Sequence, residues 1–178
     1  MAETCAECGF DWGLPGSDAC VALRSFARRY KAPFTRFLPD EDGAVLVRDH
    51  PIEGMWSALE YAGHVDAVFV LSHERIQQVL VHDRPTILPV DPEAVVRDGH
   101  LNESDPSVVA ESIAANAEAL AAALDHIDLA SWGRVGVRDG DELSVLWLAV
   151  NAVHEGSHHL LDIGRVMRAA RERLGKKS

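Results

Sequence analysis

The chain counts 178 residues and 19.4 kDa, with 47% hydrophobic and 25% charged residues and a formal charge of −11 from 28 acidic and 17 basic side chains. That balance excludes intrinsic disorder and withholds the basic face on which a DNA or RNA binder tracks phosphates. A domain of this size buries roughly 70% of its unfolded surface and folds without a disulfide scaffold, for which 3 cysteines would be an odd and insufficient number. No apolar run approaches the ~20 residues of a membrane span, and the start, Met1 to Cys5, lacks the charged and apolar regions of a signal peptide. The expectation is a cytoplasmic protein with neither a nucleic-acid nor a membrane partner.

Residues 1–17 read as an N-terminal segment and 18–178 as a helical domain. The segment contains Cys5-Ala6-Glu7-Cys8-Gly9, the spacing of a zinc knuckle, with Gly where the backbone must turn around the metal. A single pair supplies two ligands, so a closed site needs two more; Cys20, His50 and His100 are the candidates. A redox dithiol, or a segment with no role, are the alternatives. Cys20 also reads as a small buried apolar residue beside Val21.

Val21, Leu23, Phe26, Ala27, Tyr30 and Phe34 recur at helical period and predict a first helix over 18–38, with Pro33 a kink and Pro39 a stop. A short extended piece is expected near 44–48. A second helix begins at 53–57 and runs to about Val81. Pro85, Pro89 and Pro92 then predict a long crossing connection over 82–104. Ser104-Asp105-Pro106 is a helix start, followed by an Ala-rich third helix to Leu124. Residues 132–138 predict a second short extended piece, and Asp139-Gly140-Asp141 a turn. Ser144 caps a fourth helix reaching Leu174, where Arg165, Arg168, Arg171, Arg173 and Lys176 form a solvated face that suits the helix dipole. These elements predict an all-α fold, an up-and-down style four-helix bundle with one long crossover connection.

Among 9 histidines, the informative cluster is His154-Glu155-Gly156-Ser157-His158-His159. His154 and His158 stack on one face of the fourth helix, about 6 Å apart, and can share one cation. A facing helix must add a ligand, and His64 in the second helix is the candidate. His73 lies on the opposite face of that helix; His82 and His126 read as surface residues. Three imidazoles leave positions open for water or a thiolate, and their chemistry suits Zn, Ni or Fe. Glu60, Asn151 and Asp162 each lie one helical turn from a ligand and are candidates to orient His64, His154 and His158. The alternative for His64 is a core histidine bonded to a neighbour.

The same residues spell H-E-x-x-H, in which Glu155 would be the general base of a zinc peptidase. The extended form of that motif fails, because Leu161 and Gly164 stand where Gly and a third His belong. Otherwise Glu155 forms an i,i+4 pair with His159 on an adjacent stripe.

The stretch Trp56-Ser57-Ala58-Leu59-Glu60-Tyr61-Ala62-Gly63-His64, with Trp147-Leu148 and His154 through Leu160, resembles the DinB/YfiT-like superfamily of metal-binding four-helix bundles over about residues 18–174. The segment from Cys5 to Asp11 is similar to one actinobacterial branch. The resemblance implies a divalent-metal site at His64, His154 and His158, a small-molecule substrate and a homodimer. It also implies a metal-dependent hydrolase or a thiol S-transferase of the mycothiol type, with a low-molecular-weight thiol as co-substrate. Glu60 and Glu155 are the candidate catalytic residues. A non-catalytic metal-binding or redox-sensing protein using Cys5 and Cys8 is the reading from a different class.

Overall fold

The computed structural model describes residues 4–175. Six helices and one hairpin follow in order: α1 (Gly16–Thr35), α2 (Gly43–Arg48), α3 (Ala58–Val81), α4 (Pro92–Asp98), α5 (Pro106–Asp125), β1 (Val135–Arg138), β2 (Asp141–Ser144) and α6 (Val145–Gly175). The helix starts are written in side chains that satisfy free N–H groups. Ser57 and Glu60 form a reciprocal capping box at α3. Asp105 caps α5 just before Pro106, and the Ser144 hydroxyl accepts from the Trp147 N–H at 3.0 Å on α6. At the other end of α3, Arg134 donates to the carbonyls of Val79 and His82 at 2.9 and 2.8 Å.

The long helices α1, α3, α5 and α6 make a four-helix bundle whose core joins Phe26, Tyr30, Leu59, Phe69, Ile113, Leu120 and Ile163. α1 packs on α5 and α6, and α3 packs on the same two helices. Successive long helices α1 and α3 are therefore diagonal, as are α5 and α6. This packing order differs from an up-and-down bundle. The long connection expected over 82–104 is present but joins neighbours. The diagonal passages fall instead to residues 36–57 and 126–144.

Several boundaries differ from expectation for local reasons. Residues 44–48 are helical, not extended, because the Asp42 carboxylate accepts from the N–H groups of Ala44 and Val45 and starts α2, which buries Leu46 and Val47. α1 ends at Thr35, two residues beyond Pro33, whose missing N–H falls in the last turn. The Pro-rich connection contains α4, with Pro92 in its first turn beside the Asp91 cap. The expected piece at 132–138 becomes β1, paired antiparallel with β2 through an Asp139-Gly140 turn in which both residues have positive φ. Contrary to the expectation that no apolar run approaches a membrane span, α5 is long and apolar enough to cross a bilayer; its Ala110, Ile113, Ala117, Leu120 and Leu124 pack into the bundle.

The arginines of α6 stay largely exposed, as a solvated face requires, and three of them also pair with carboxylates: Arg165 with Asp162, Arg171 with Glu41 and Arg173 with Asp49. Lys176 lies outside the described residues.

Candidate metal centre

α6 carries two i,i+4 pairs offset by one residue, His154/His158 and Glu155/His159. One residue is about 100° of helix, so the pairs face different neighbours. Gly156 sits between them, where a Cβ would come within 2.7 Å of the Phe26 ring and 3.0 Å of Phe69. Its carbonyl accepts from the buried Tyr30 hydroxyl at 2.8 Å, which fixes α6 against α1.

The Glu155/His159 stripe faces α3. His64 is buried, with its Nε2 3.5 Å from Glu155 Oε2, and His159 Nε2 reaches the same oxygen at 3.4 Å. The three donors form one group whose ligand atoms lie within 4.8 Å of one another. Trp56 packs on His64, and Tyr61 stacks on His159 with centroids 5.1 Å apart. Asp162 accepts from His159 Nδ1 at 3.0 Å, the carboxylate–imidazole arrangement that orients metal-binding histidines. Burial works against charge on Glu155, but hydrogen bonds from His159 and His64 outweigh it and hold the carboxyl far below its usual range. Burial likewise disfavours the His159 imidazolium, yet Asp162 and Glu155 push it up to about 9. Two imidazoles and a carboxylate are a donor set that suits Zn, Fe or Ni and leaves coordination positions open.

The His154/His158 stripe faces the N-terminal segment. Its imidazoles join Cys5 and Cys8 in a second group, with Cys5 Sγ 3.8 Å from His158 Nδ1. The Cys5 thiol is pulled down to about 6, chiefly by the backbone N–H of Cys8 and then by His154, while burial pushes the Cys8 thiol up. Asp162 also lies 3.5 Å from His158 Nε2 and so touches both stripes.

The trio His64, His154 and His158 is thus divided between two groups rather than gathered into one. His159, read from the sequence only as the partner of Glu155, is that partner and faces His64 as well. Glu60 does not orient His64: its carboxylate closes the capping box and bonds His50 Nε2 at 2.6 Å. Asn151 does not orient His154, neither of whose ring nitrogens has a hydrogen-bond partner. Cys20 is buried on α1, His50 is bonded to Glu60 and His100 is exposed beside Glu103, so none joins Cys5 and Cys8.

His64 and Glu155 also line a cavity of about 500 Å³. Its walls include Val68, Leu71, Val95 and Trp147, with Arg75 and Arg138 among them. Neither arginine is ion-paired among the described residues. Burial, and then the charge of Arg138, pull Arg75 below its usual value.

A family model of the DinB superfamily matches residues 38–163. The chain belongs to the DinB superfamily. The solved structure of YfiT from Bacillus subtilis, described as "a probable metal-dependent hydrolase with an unusual four-helix bundle topology", is similar at a TM-score of 0.77 and 15% identity. The match covers 90% of this chain and 87% of that one. At that identity the likeness shows the fold, which the DinB chain shares across nearly its whole length. Among curated proteins none matches significantly.

Proposed function

We propose that this DinB-superfamily chain is a metal-dependent enzyme, most directly a hydrolase, acting on a small anionic molecule at His64, Glu155 and His159. The observation that carries this reading is that two of the three converging donors open onto the cavity. A divalent metal held there would supply a nucleophile at neutral pH by acidifying bound water or thiol. Asp162 holds the His159 Nδ1–H so that Nε2 faces His64 and Glu155. Trp56 and Tyr61 flank the imidazoles and limit their rotation. Arg75 and Arg138 line the cavity together with the Asp139 and Glu155 carboxylates, and the two guanidinium groups would hold a substrate that brings negative charge between them.

Thiol S-transfer is the second reading, supported by the same arginine pair, which would hold the carboxylate of a low-molecular-weight thiol. Its sulfur would take the place of water. The test is product analysis with zinc-, nickel- and iron-loaded protein, offered anionic esters, amides and alkyl electrophiles with and without thiol. Products containing water oxygen support the hydrolase, and thioether products support the transferase. No turnover by any loaded form, with tight metal binding intact, favours a non-catalytic sensor. The peptidase reading has less support: His154 Nδ1 lies 3.5 Å from Glu155 Oε1, but His154 and His158 are grouped with the two thiols, which would fill the positions a peptide and water need.

A further inference from the structure

The N-terminal segment is built as a tight loop. The Cys5 N–H donates to the Phe10 carbonyl at 2.9 Å, the Gly9 N–H donates to the Cys5 carbonyl at 2.8 Å, and Thr4 bridges Asp11 antiparallel. Gly9 has φ +72, a conformation that side-chain-bearing residues adopt at a cost. The loop brings the thiols of Cys5 and Cys8 to one side, against α6, into the four-donor group with His154 and His158.

Tetrahedral zinc with bonds of about 2.3 Å to sulfur and 2.0 Å to nitrogen sets neighbouring ligand atoms roughly 3.3–3.8 Å apart. The Cys5 Sγ–His158 Nδ1 separation of 3.8 Å lies a few tenths of an ångström beyond the sulfur–nitrogen value of about 3.5 Å in that geometry. An independent observation comes from His154. Its Nδ1 and Nε2 are both buried and neither makes a hydrogen bond, although buried polar atoms are rarely left without a partner. Phe10 and Trp12 close over the ring, with centroids 5.4 and 4.5 Å away, and its polar neighbours are the two thiols, His158 and the Glu155 carboxylate, whose Oε1 lies 3.5 Å from Nδ1 without hydrogen-bond geometry.

We propose that Cys5, Cys8, His154 and His158 bind a structural zinc ion that fastens the N-terminal segment to α6. The site is separate from the one assigned to catalysis. Two thiolates and two imidazoles complete the coordination sphere and leave no position for substrate, and thiolate donors select zinc over magnesium or calcium. Both elements would be fixed by the bond: the segment gains a covalent-strength anchor beyond the packing of Phe10 and Leu14 on the core, and α6 is held at the stripe adjacent to Glu155 and His159.

The test uses the full chain loaded with zinc and, separately, with cobalt(II). The expected cobalt spectrum has the strong visible bands of a tetrahedral ion and sulfur-to-cobalt charge transfer in the near ultraviolet. Cys8→Ser should abolish the charge-transfer signature and lose one zinc per chain by elemental analysis. His64→Ala should keep the charge-transfer signature and the cysteine-bound zinc, losing only the ion of its own group. Limited proteolysis gives a second readout: zinc removal, or Cys8→Ser, should expose cleavage within residues 4–15 while the bundle stays intact. Full zinc content in Cys8→Ser, a wild-type cobalt spectrum without sulfur charge transfer, or a Cys5–Cys8 disulfide in protein purified without oxidant would overturn the proposal.

Discussion

His158 and His159 are consecutive on α6, with ring centroids 5.2 Å apart and planes at 80°, and they turn to different partners: His158 to Cys5, His159 to His64 and Glu155. Among the described residues one carboxylate, that of Asp162, reaches both, bonding His159 Nδ1 at 3.0 Å and lying 3.5 Å from His158 Nε2. Its closer contact makes it chiefly the orienting group of His159. Asp162→Asn should weaken metal binding at the His64 group by about 10- to 100-fold and leave the cysteine-bound ion in place. Competition against a chromophoric chelator measures both affinities in one titration.

The division of the histidines makes a further measurable statement. His64→Ala and His159→Ala should lower the same metal occupancy, and His154→Ala the other. A shared loss by His64→Ala and His154→Ala would restore a single three-histidine site. Elemental analysis of the three variants decides it.

Arg138→Ala should raise KM for an anionic substrate with a smaller change in kcat, since the guanidinium lies in the cavity wall and not among the metal donors. A charged hydrogen bond of about 1.5–3 kcal/mol corresponds to roughly 10- to 150-fold in binding. A neutral substrate analogue should show no such difference between variant and parent.

Gly156→Ala places a methyl group against Phe26 and Phe69 in a filled core. Overpacking of this kind costs about 1–3 kcal/mol. Chemical denaturation should show the loss in both metal-loaded and metal-free protein.

Burial raises the Tyr30 phenol well above its usual value, so the folded protein keeps a proton that the unfolded chain releases above about pH 10. That contribution is complete below the unfolded pKa and is lost as pH rises beyond it. Tyr30→Phe should therefore start about 1 kcal/mol less stable at neutral pH, through the lost bond to the Gly156 carbonyl. It should then lose stability less steeply in alkali, where Tyr61, also raised by burial, continues to contribute. Denaturation midpoints across that range check the crossing of the two curves.

Two helix starts were legible because caps are local: Asp105 before Pro106, and Ser144, each act within four residues, whereas the Ser57–Glu60 capping box went unread because one helical turn also offers Glu60 to His64. α2 was not legible, because its Ala-Val-Leu-Val run reads as strand and only the Asp42 carboxylate tips it to helix. The packing order was illegible for another reason. Periodicity shows which face of a helix is apolar but not which helix covers it, so the diagonal placement of α1 and α3 leaves no mark in the pattern. The site failed in the same place. His154/His158 and Glu155/His159 have identical spacing, and the choice of which pair meets His64 depends on the rotation of α6 about its axis. That rotation is set by Gly156 against Phe26, a contact between residues on two distant stretches of chain.

The diagonal order of the bundle bears on how the protein is made. Since α6 supplies donors to both groups, and Cys5 meets His158 across a separation of 153 residues, neither ion has a complete binding set until the last long helix has left the ribosome. Under the proposed sites, metal capture would be a late event of biosynthesis. The nascent chain must also carry an unfinished bundle, because α1 and α3 are diagonal and meet through little more than the Phe26–Phe69 stack while they wait.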